Sequence, residues 1–502
     1  MATSDNTKHY RLEKIRVGLI DHANLQVECD RSIAYELIDY FSFYVPGYKY
    51  MPAYRNKVWD GKIKLFNQNG QLPVGLFQHL NQFCKNNNYE VELIESEYGY
   101  PLQTQEINPD DVYQFIQNLD IPWEIRDYQF DAIVNGLKRK RAILLSPTGS
   151  GKSLIIYILA RYYLELEKSK ILIIVPTTSL VEQMYNDFKH YGYEEQQMHR
   201  IYSGKDKKTD APIIISTWQS IYKLGRDWFD QFGMVIGDEC HGFKSKSLMS
   251  IMNKCSEAGY RFGTTGTLDG ALTHELVLQG LFGRIMNVTT TKSLQESQTL
   301  AQLDIKRITL EYEKSIRQYF GKRKYADEID YIVTNEKRNN FITNLALDQK
   351  GNTLVLFQFV EKHGQPLFNM IRSKANENRK IFYVSGQVDT SDREQIRNIT
   401  EKQKDAIIVA SMGTFSTGIN IRNLHNIIFA SPSKSQIRVL QSIGRGLRKS
   451  DDGRPTKLYD ITDDMSWHKR KNFCLLHAEE RLKIYQNEKF DHKTYGINID
   501  GT

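Results

Sequence analysis

Two short stretches combine residue types that can do phosphate chemistry. SPTGSGKS at 146–153 follows the apolar run AILLS and opens a segment of helical pattern. Glycines at 149 and 151 let the backbone curl so that its N–H groups converge on phosphate oxygens, and a helix start adds a favourable field. This assigns Ser146, Pro147, Thr148, Gly149, Ser150, Gly151, Lys152 and Ser153 to a phosphate cradle. Lys152 reaches the outer phosphates of a nucleoside triphosphate, and Ser153 ligates Mg²⁺. The loop opens with Ser146 where the general pattern has glycine. DECH at 238–241 follows a second apolar run, MVIG. Asp238 is placed to hold the same Mg²⁺, usually through water, and Glu239 to orient and deprotonate an attacking water. His241 is placed to link this site to TTGT at 264–267, through Thr265 and Thr267.

A third stretch, QSIGRGLRKS at 441–450, sets Arg445 and Arg448 three residues apart on a helical pattern. A guanidinium at a transferring phosphoryl group is worth about 10³–10⁵ in rate. The expectation is that this stretch and the glycine-rich loop face each other across a cleft, so that ATP hydrolysis needs closure. Gln441 would place water or phosphate, and Gly444 would permit close approach. TFSTGIN at 414–420 offers Gly418 and Asn420 to the nucleotide from the same side. RDYQ at 126–129 offers Arg126 and Gln129, the latter as donor and acceptor for adenine. Taken singly, each stretch has an ordinary explanation: a glycine turn, a charged loop, a solvated arginine pair, a helix start. Their order and strand–loop–helix context give them weight.

The elements that must position these residues are short β-branched runs alternating with helical patterns. AILLS, KILIIVP, APIIIST, MVIGDE and RFGTTGT form one series. NTLVLFQF, KIFYVSG, DAIIVAS, HNIIFAS and KLYDIT form another. Apolar runs without polar alternation predict strands covered on both faces, as in parallel sheets. The fold class is therefore α/β, with two tandem parallel-sheet units. Residues 1–115 lack this rhythm and are read as a small α+β accessory domain. The first unit is placed at 116–290, the second at 291–465 and a helical tail at 466–502. The polar stretch 287–300 is the expected linker, and 311–338 a helical excursion within the second unit.

Composition sets bounds. Of 502 residues, 40% are hydrophobic and 25% charged, with net charge +7, which suits a polyanionic partner without requiring one. Five scattered cysteines without a CxxC spacing argue against a disulfide framework or zinc site. No apolar run is long enough to cross a bilayer and no signal-peptide core opens the chain, so a cytoplasmic protein is expected.

Within the first domain, YKYMPAYRNKVWDGKIKLF at 48–66 mixes Arg55, Lys57, Lys62 and Lys64 with aromatic residues. Such a mixture suits a DNA surface, through charge neutralisation and stacking. The same stretch also reads as a hairpin, with WDG at its turn and Trp59 in a small core.

RDYQ, SPTGSGKS, VPTTSLVEQ, STWQS, DECH, TTGT, TFSTGIN and QSIGRGLR occur in that order. Together they resemble superfamily 2 helicases of the DExH type. With YFSFYVPGYKY, VWDGKIKLF and LPVGLFQHLNQFC, the chain is most similar to UvsW-type helicases of tailed bacteriophages. The resemblance implies two RecA-like domains with ATP and Mg²⁺ between them. It implies a helicase that unwinds, branch-migrates and anneals DNA in recombination, repair and replication. Its partners would be branched, forked or junction DNA and R-loops, and it would work as a monomer in the host cytoplasm. It further implies that Thr177, Thr178, Trp218 and Gln219, with Thr414 and Thr417, track a strand backbone, since hydroxyls and amides at strand ends grip phosphates without reading bases. Trp218 could stack on a base, although a tryptophan after a strand more often serves packing. Ser442 stands where many relatives carry arginine.

Two other readings use the same residues. One is a helicase acting on RNA or RNA–DNA hybrids, which the 2′-OH would separate. The other is a DNA-annealing or binding protein in which ATP is only a switch.

Overall fold

The computed structural model describes residues 14–101, 104–386, 402–418, 423–433 and 453–499, together with 396, 399, 435, 439, 442–444 and 447. The chain divides into two compact units. The first is Met1–Leu145 with Lys152–Val288; the second is Ser146–Gly151 with Thr289–Thr502.

The first unit is built on a seven-stranded sheet. Its spatial order is Ile285–Asn287, Arg141–Leu145, Tyr260–Thr265, Phe232–Asp238, Lys170–Val175, Ile213–Thr217, Met198–Ile201. Every pairing is parallel. The apolar runs seen in the sequence are its central strands: Ile171–Val175 and Ile213–Ile215 are almost wholly buried, as helices on both faces require. Helices Asp127–Arg139, Lys152–Leu166 and Thr178–His190 share one of its two cores.

A smaller sheet belongs to the same unit. Gln71–Pro73, Asn24–Glu28 and Lys14–Leu19 pair antiparallel, and Glu90–Leu93 joins parallel to Lys14–Leu19. This is the α+β arrangement expected of the N-terminal region. Leu276 of helix Leu272–Phe282 joins its core. At Gly75 a Cβ would overlap the carbonyl oxygen of Gln279, so only glycine allows this approach of the small domain to that helix.

The second unit has its own seven-stranded parallel sheet. The order is Ile381–Val384, Ile407–Ser411, Thr353–Phe357, Asn426–Phe429, Thr456–Asp464, Leu303–Glu311, His492–Asn498. Helices Lys314–Phe320, Tyr325–Thr334 and Glu336–Asp348 form the expected excursion. The expected tail helix is Phe473–Asn487. Glu328 caps its start: its carboxylate accepts from Asn472 Nδ2 at 2.8 Å, Phe473 N at 3.0 Å and Cys474 N at 2.6 Å. An anion at a helix N-terminus is favoured there. Arg481 on the same helix pairs with Asp460, and the Tyr485 hydroxyl donates to that carboxylate at 2.9 Å. Beyond the helix, His492–Asn498 adds an edge strand that the sequence reading did not anticipate. The expected linker at 287–300 holds a short helix, Thr291–Glu296, with Leu294 buried.

Among the described residues no helix is long and apolar enough to cross a membrane.

Candidate nucleotide and nucleic-acid site

The phosphate loop leaves the C-terminal end of strand Arg141–Leu145, and helix Lys152–Leu166 begins directly after it. Gly149 and Gly151 have φ of 85° and 80°, the left-handed region where a side chain would be strained. The departure at Ser146 has a structural use. Its hydroxyl is buried 2.6 Å from that of Ser150, and Ser150 Oγ donates to the Pro147 carbonyl at 2.6 Å. Since Ser150 spends its proton on Pro147, Ser146 is the donor between the two hydroxyls. The pair braces the loop from within. Ser153 Oγ lies 2.8 Å from the Tyr191 hydroxyl, whose pKa burial pushes up to about 12. Tyr191 was not foreseen, because nothing in the sequence links it to Ser153.

Strands Arg141–Leu145, Tyr260–Thr265 and Phe232–Asp238 are neighbours, so their C-terminal ends deliver Ser146, Thr264–Thr265 and Asp238 to one edge of the sheet. Thr264 Oγ1 donates to Asp238 Oδ1 at 2.7 Å. Burial first, and then the Glu239 charge, push the Asp238 carboxyl above the usual range; Lys152 and the Thr264 hydrogen bond oppose them. A divalent cation would reverse that balance. A carboxylate from Asp238 and a hydroxyl from Ser153 are hard oxygen donors of the kind Mg²⁺ takes. Among the described residues there is no group of three or more His, Cys, Asp or Glu side chains fit to hold a metal by themselves.

Glu239 sits at φ 51°, ψ 49°, a left-handed conformation uncommon outside glycine and worth attention at a functional site. Its Oε2 is 3.4 Å from His241 Nδ1, which is also 3.0 Å from Thr265 Oγ1. Thr265 donates its one proton to the Thr267 carbonyl at 3.0 Å and accepts from Thr267 N. His241 Nδ1 therefore donates to Thr265, with the Glu239 carboxylate beside it. The structure thus joins His241, Thr265 and Thr267 by hydrogen bonds and sets Glu239 next to His241. A second cluster was missed in the sequence: Asp269 Oδ2 lies 2.5 Å from both Lys244 Nζ and His274 Nδ1. Its members are spread over three polar segments that carry no pattern of their own.

Gln129 is buried, and its Oε1 accepts from Arg126 N at 3.0 Å, stapling the start of helix Asp127–Arg139. Arg126 Nη1 donates to the Tyr128 hydroxyl at 2.8 Å. Thr177 caps helix Thr178–His190, with Oγ1 accepting from Leu180 N at 3.4 Å. Trp218 and Gln219 open the short helix Trp218–Ile221, at the end of the strand paired with Lys170–Val175. Trp218 packs edge-on to Tyr222 beside a core cluster; Gln219 Nε2 is 3.5 Å from the Pro176 carbonyl. The four residues thus stand side by side at the C-terminal ends of two adjoining parallel strands.

On the second unit, Thr414 lies in helix Met412–Gly418, and Ser411 Oγ donates to its hydroxyl at 2.7 Å. Thr417 and Gly418 are in the same helix. Asn420, Gln441, Arg445 and Arg448 lie outside the described residues.

In the N-terminal domain Lys62–Lys64 pairs antiparallel with Ser42–Tyr44. Trp59 Nε1 donates to the Lys62 carbonyl at 2.8 Å, and Phe66 is buried. The expected hairpin with WDG at its turn is not formed: Tyr48–Tyr50 and Pro52–Arg55 are helical turns, so the partner strand of Lys62–Lys64 comes from before them, and of the two aromatics only Phe66 enters the core. Lys62 lies over the Tyr44 ring, 5.1 Å from its centroid, and 3.8 Å from Asp39; Lys64 pairs with Asp60 at 2.9 Å. Arg55 and Lys57 are exposed, without an ion pair among the described residues.

Two RecA-like parallel sheets, the first with a phosphate loop after one strand and an Asp–Glu pair at the end of the next strand but one, define a superfamily 2 helicase motor. Residues 122–270 match the family described as type III restriction enzyme, res subunit, and 336–450 the helicase conserved C-terminal domain. Residues 14–94 match the N-terminal domain of the DNA helicase UvsW. The ATP-dependent DNA helicase uvsW of Enterobacteria phage T4 is 37% identical over 508 residues, spanning 97% of this chain and 100% of that protein. Its crystal structure superposes with a TM-score of 0.50 at 34% identity, again over 97% and 100% of the two chains. The DNA 3'-5' translocase XPB2 of Sulfurisphaera tokodaii is 24% identical, over 65% of this chain and 79% of its own. The chain belongs to the UvsW family of helicases.

Proposed function

We propose that the protein is an ATP-dependent DNA helicase that remodels branched DNA by unwinding, branch migration and strand annealing in recombination, repair and replication. The observation that carries this reading is the Glu239 carboxylate set 3.4 Å from His241, which is hydrogen-bonded to Thr265 at the end of the adjoining strand, beside Asp238 and Lys152. A pure nucleotide switch has no need of a positioned carboxylate beside a histidine bonded to a neighbouring strand end. The full-length likeness to a protein named a DNA helicase, N-terminal domain included, supports DNA as the polymer.

In this reading the loop N–H groups and Lys152 hold the outer phosphates of ATP. Ser153 and Asp238 hold Mg²⁺, which supplies charge neutralisation at the β- and γ-phosphates. Glu239 orients water for attack and accepts its proton. Arg126 and Gln129 flank the adenine, Gln129 fixed by its cap. Gly418, Asn420, Gln441, Arg445 and Arg448 act on the phosphates from the second unit, with the arginines stabilising the transferring group. Thr177, Thr178, Trp218 and Gln219, with Thr414 and Thr417, grip the sugar–phosphate backbone. Arg55 and Lys57, with Lys62 and Lys64, extend the DNA surface. The protein works as a monomer on forked, four-way or R-loop substrates in the cytoplasm of a host cell.

The test is ATP hydrolysis and strand separation on forked, four-way and RNA-containing substrates of matched sequence. Stimulation by DNA junctions, lost in Lys152→Ala, is the expected result. Equal hydrolysis with and without nucleic acid would overturn it, and stimulation by RNA alone would move the assignment to RNA.

A further inference from the structure

A cavity of about 470 Å³ in the first unit lies away from the phosphate loop. It opens at the N-terminal ends of the sheet strands, where Arg141 begins its strand and Tyr260 begins the neighbouring one. The N-terminal domain forms its other wall with His22, Val74 and Tyr98. The phosphate loop leaves the opposite end of the Arg141–Leu145 strand. At about 3.3 Å per residue the strand keeps the two places more than a nucleotide's phosphate chain apart.

Four cations line this cavity, Arg139, Lys140, Arg141 and Arg284, against two carboxylates, Glu167 and Glu257. His22 does not add to the charge: burial, with Arg141 beside it, lowers its pKa to about 4. Arg141 donates through Nη2 to the His22 carbonyl at 2.7 Å. Its Nη1 is buried and has no hydrogen-bond partner among the described residues. Buried donors in native structures are almost always paired, so one left over at a cavity wall points to a ligand. Arg261, also buried, spends its donors on the carbonyls of Ala258, Met252 and Cys255, and so adds charge without neutralising Arg141. The walls are aromatic as well: Tyr98 meets the His22 ring edge-on at 5.1 Å, and Lys140 lies over Tyr260 at 5.5 Å.

We propose that this cavity is a second ligand site, separate from the ATP site, for a small phosphorylated molecule of mononucleotide size, with Arg141 Nη1 as the anchor for its phosphate. A volume in the range of small-molecule sites, an excess of positive charge and an unpaired buried guanidinium N–H select an anion able to take a directed hydrogen bond. The tyrosine walls select one with a flat ring. Arg284, which also bonds Gln78 at 2.8 Å near the surface, stands at the rim.

The test uses the full-length protein with saturating ADP, so that the phosphate loop is filled, titrated calorimetrically with thymidine monophosphate and separately with inorganic phosphate. Expected is one binding event for the nucleotide, competed by inorganic phosphate. It should weaken at least tenfold in Arg141→Met and severalfold in Arg284→Gln, with ADP affinity unchanged in both. Should Arg141→Met fail to fold, the rim variant and the phosphate competition carry the test alone. Absence of a binding event in the ADP-filled protein would overturn the proposal. So would binding indifferent to both arginine variants, or binding that phosphate does not compete.

Discussion

His241 Nδ1 stands 3.0 Å from Thr265 Oγ1, joining the segment after strand Phe232–Asp238 to the end of the adjacent strand Tyr260–Thr265, which lies between it and the strand leading into the phosphate loop. Because Thr265 has its only proton engaged with Thr267, the histidine must donate. Glu239, 3.4 Å from the same nitrogen, therefore faces the group that bonds the Thr265–Thr267 turn.

His241→Ala should leave basal ATP hydrolysis within a few-fold of wild type while reducing DNA-stimulated hydrolysis and unwinding about tenfold. That is the loss of roughly 1.4 kcal/mol of coupling. Thr265→Val should do the same, and the double variant should be no worse than either, since the two residues share one interaction. Steady-state ATPase with and without forked DNA checks this. Additive losses would place the residues on separate routes.

Glu239→Gln and Lys152→Ala should separate chemistry from binding. Loss of a general base costs about 10²–10⁴ in turnover, and the amide should retain ATP affinity. Lys152→Ala should lose affinity and turnover together if, as proposed, the ammonium holds the phosphates in ground and transition states alike. Equilibrium binding of a fluorescent ATP analogue, set beside single-turnover rates, distinguishes the two.

Stability should fall with acid through His22. Its pKa is lowered from 6.5 to about 4 by burial and then by Arg141, Arg261 and Lys140, with Asp21 opposing. Between those values the unfolded chain binds the proton that the folded chain refuses, so stability drops as pH falls through the window and levels off below it. Thermal melts at pH 7.5 and 5 should show a smaller acid loss in His22→Gln than in wild type.

The second unit holds a buried pair, Arg338 with Asp463, at 2.7 Å and 3.0 Å, and the Tyr312 hydroxyl donates to the same carboxylate at 2.8 Å. Asp463→Asn should destabilise that unit by about 3–5 kcal/mol, because a buried guanidinium is left uncompensated. Arg338→Met combined with Asp463→Leu should recover much of the loss. Urea unfolding followed by tyrosine and tryptophan fluorescence measures both.

The central strands were legible in the sequence because burial on both faces leaves runs such as ILIIV with no polar position. Strand His492–Asn498 was not, because it is an edge with mostly exposed side chains and a glycine at Gly496. In the site, the loop glycines, Asp238, Glu239 and His241 were readable from motif and spacing. The Tyr191 partner of Ser153 and the Lys244–Asp269–His274 cluster were not, since tertiary packing alone brings them together. The serine brace in the loop was visible only as an oddity at Ser146; its reason needed the Ser150 hydroxyl in place.

Strand Leu303–Glu311 lies between Thr456–Asp464 and His492–Asn498. Both partners come much later in the chain, so during translation this strand emerges with neither edge covered. Parallel pairings of such sequence separation form slowly and leave sticky edges exposed meanwhile. A nascent chain stalled before Thr456 would thus be a target for chaperones rather than a working half. Expression yield should depend more on strand His492–Asn498 than its exposed surface suggests.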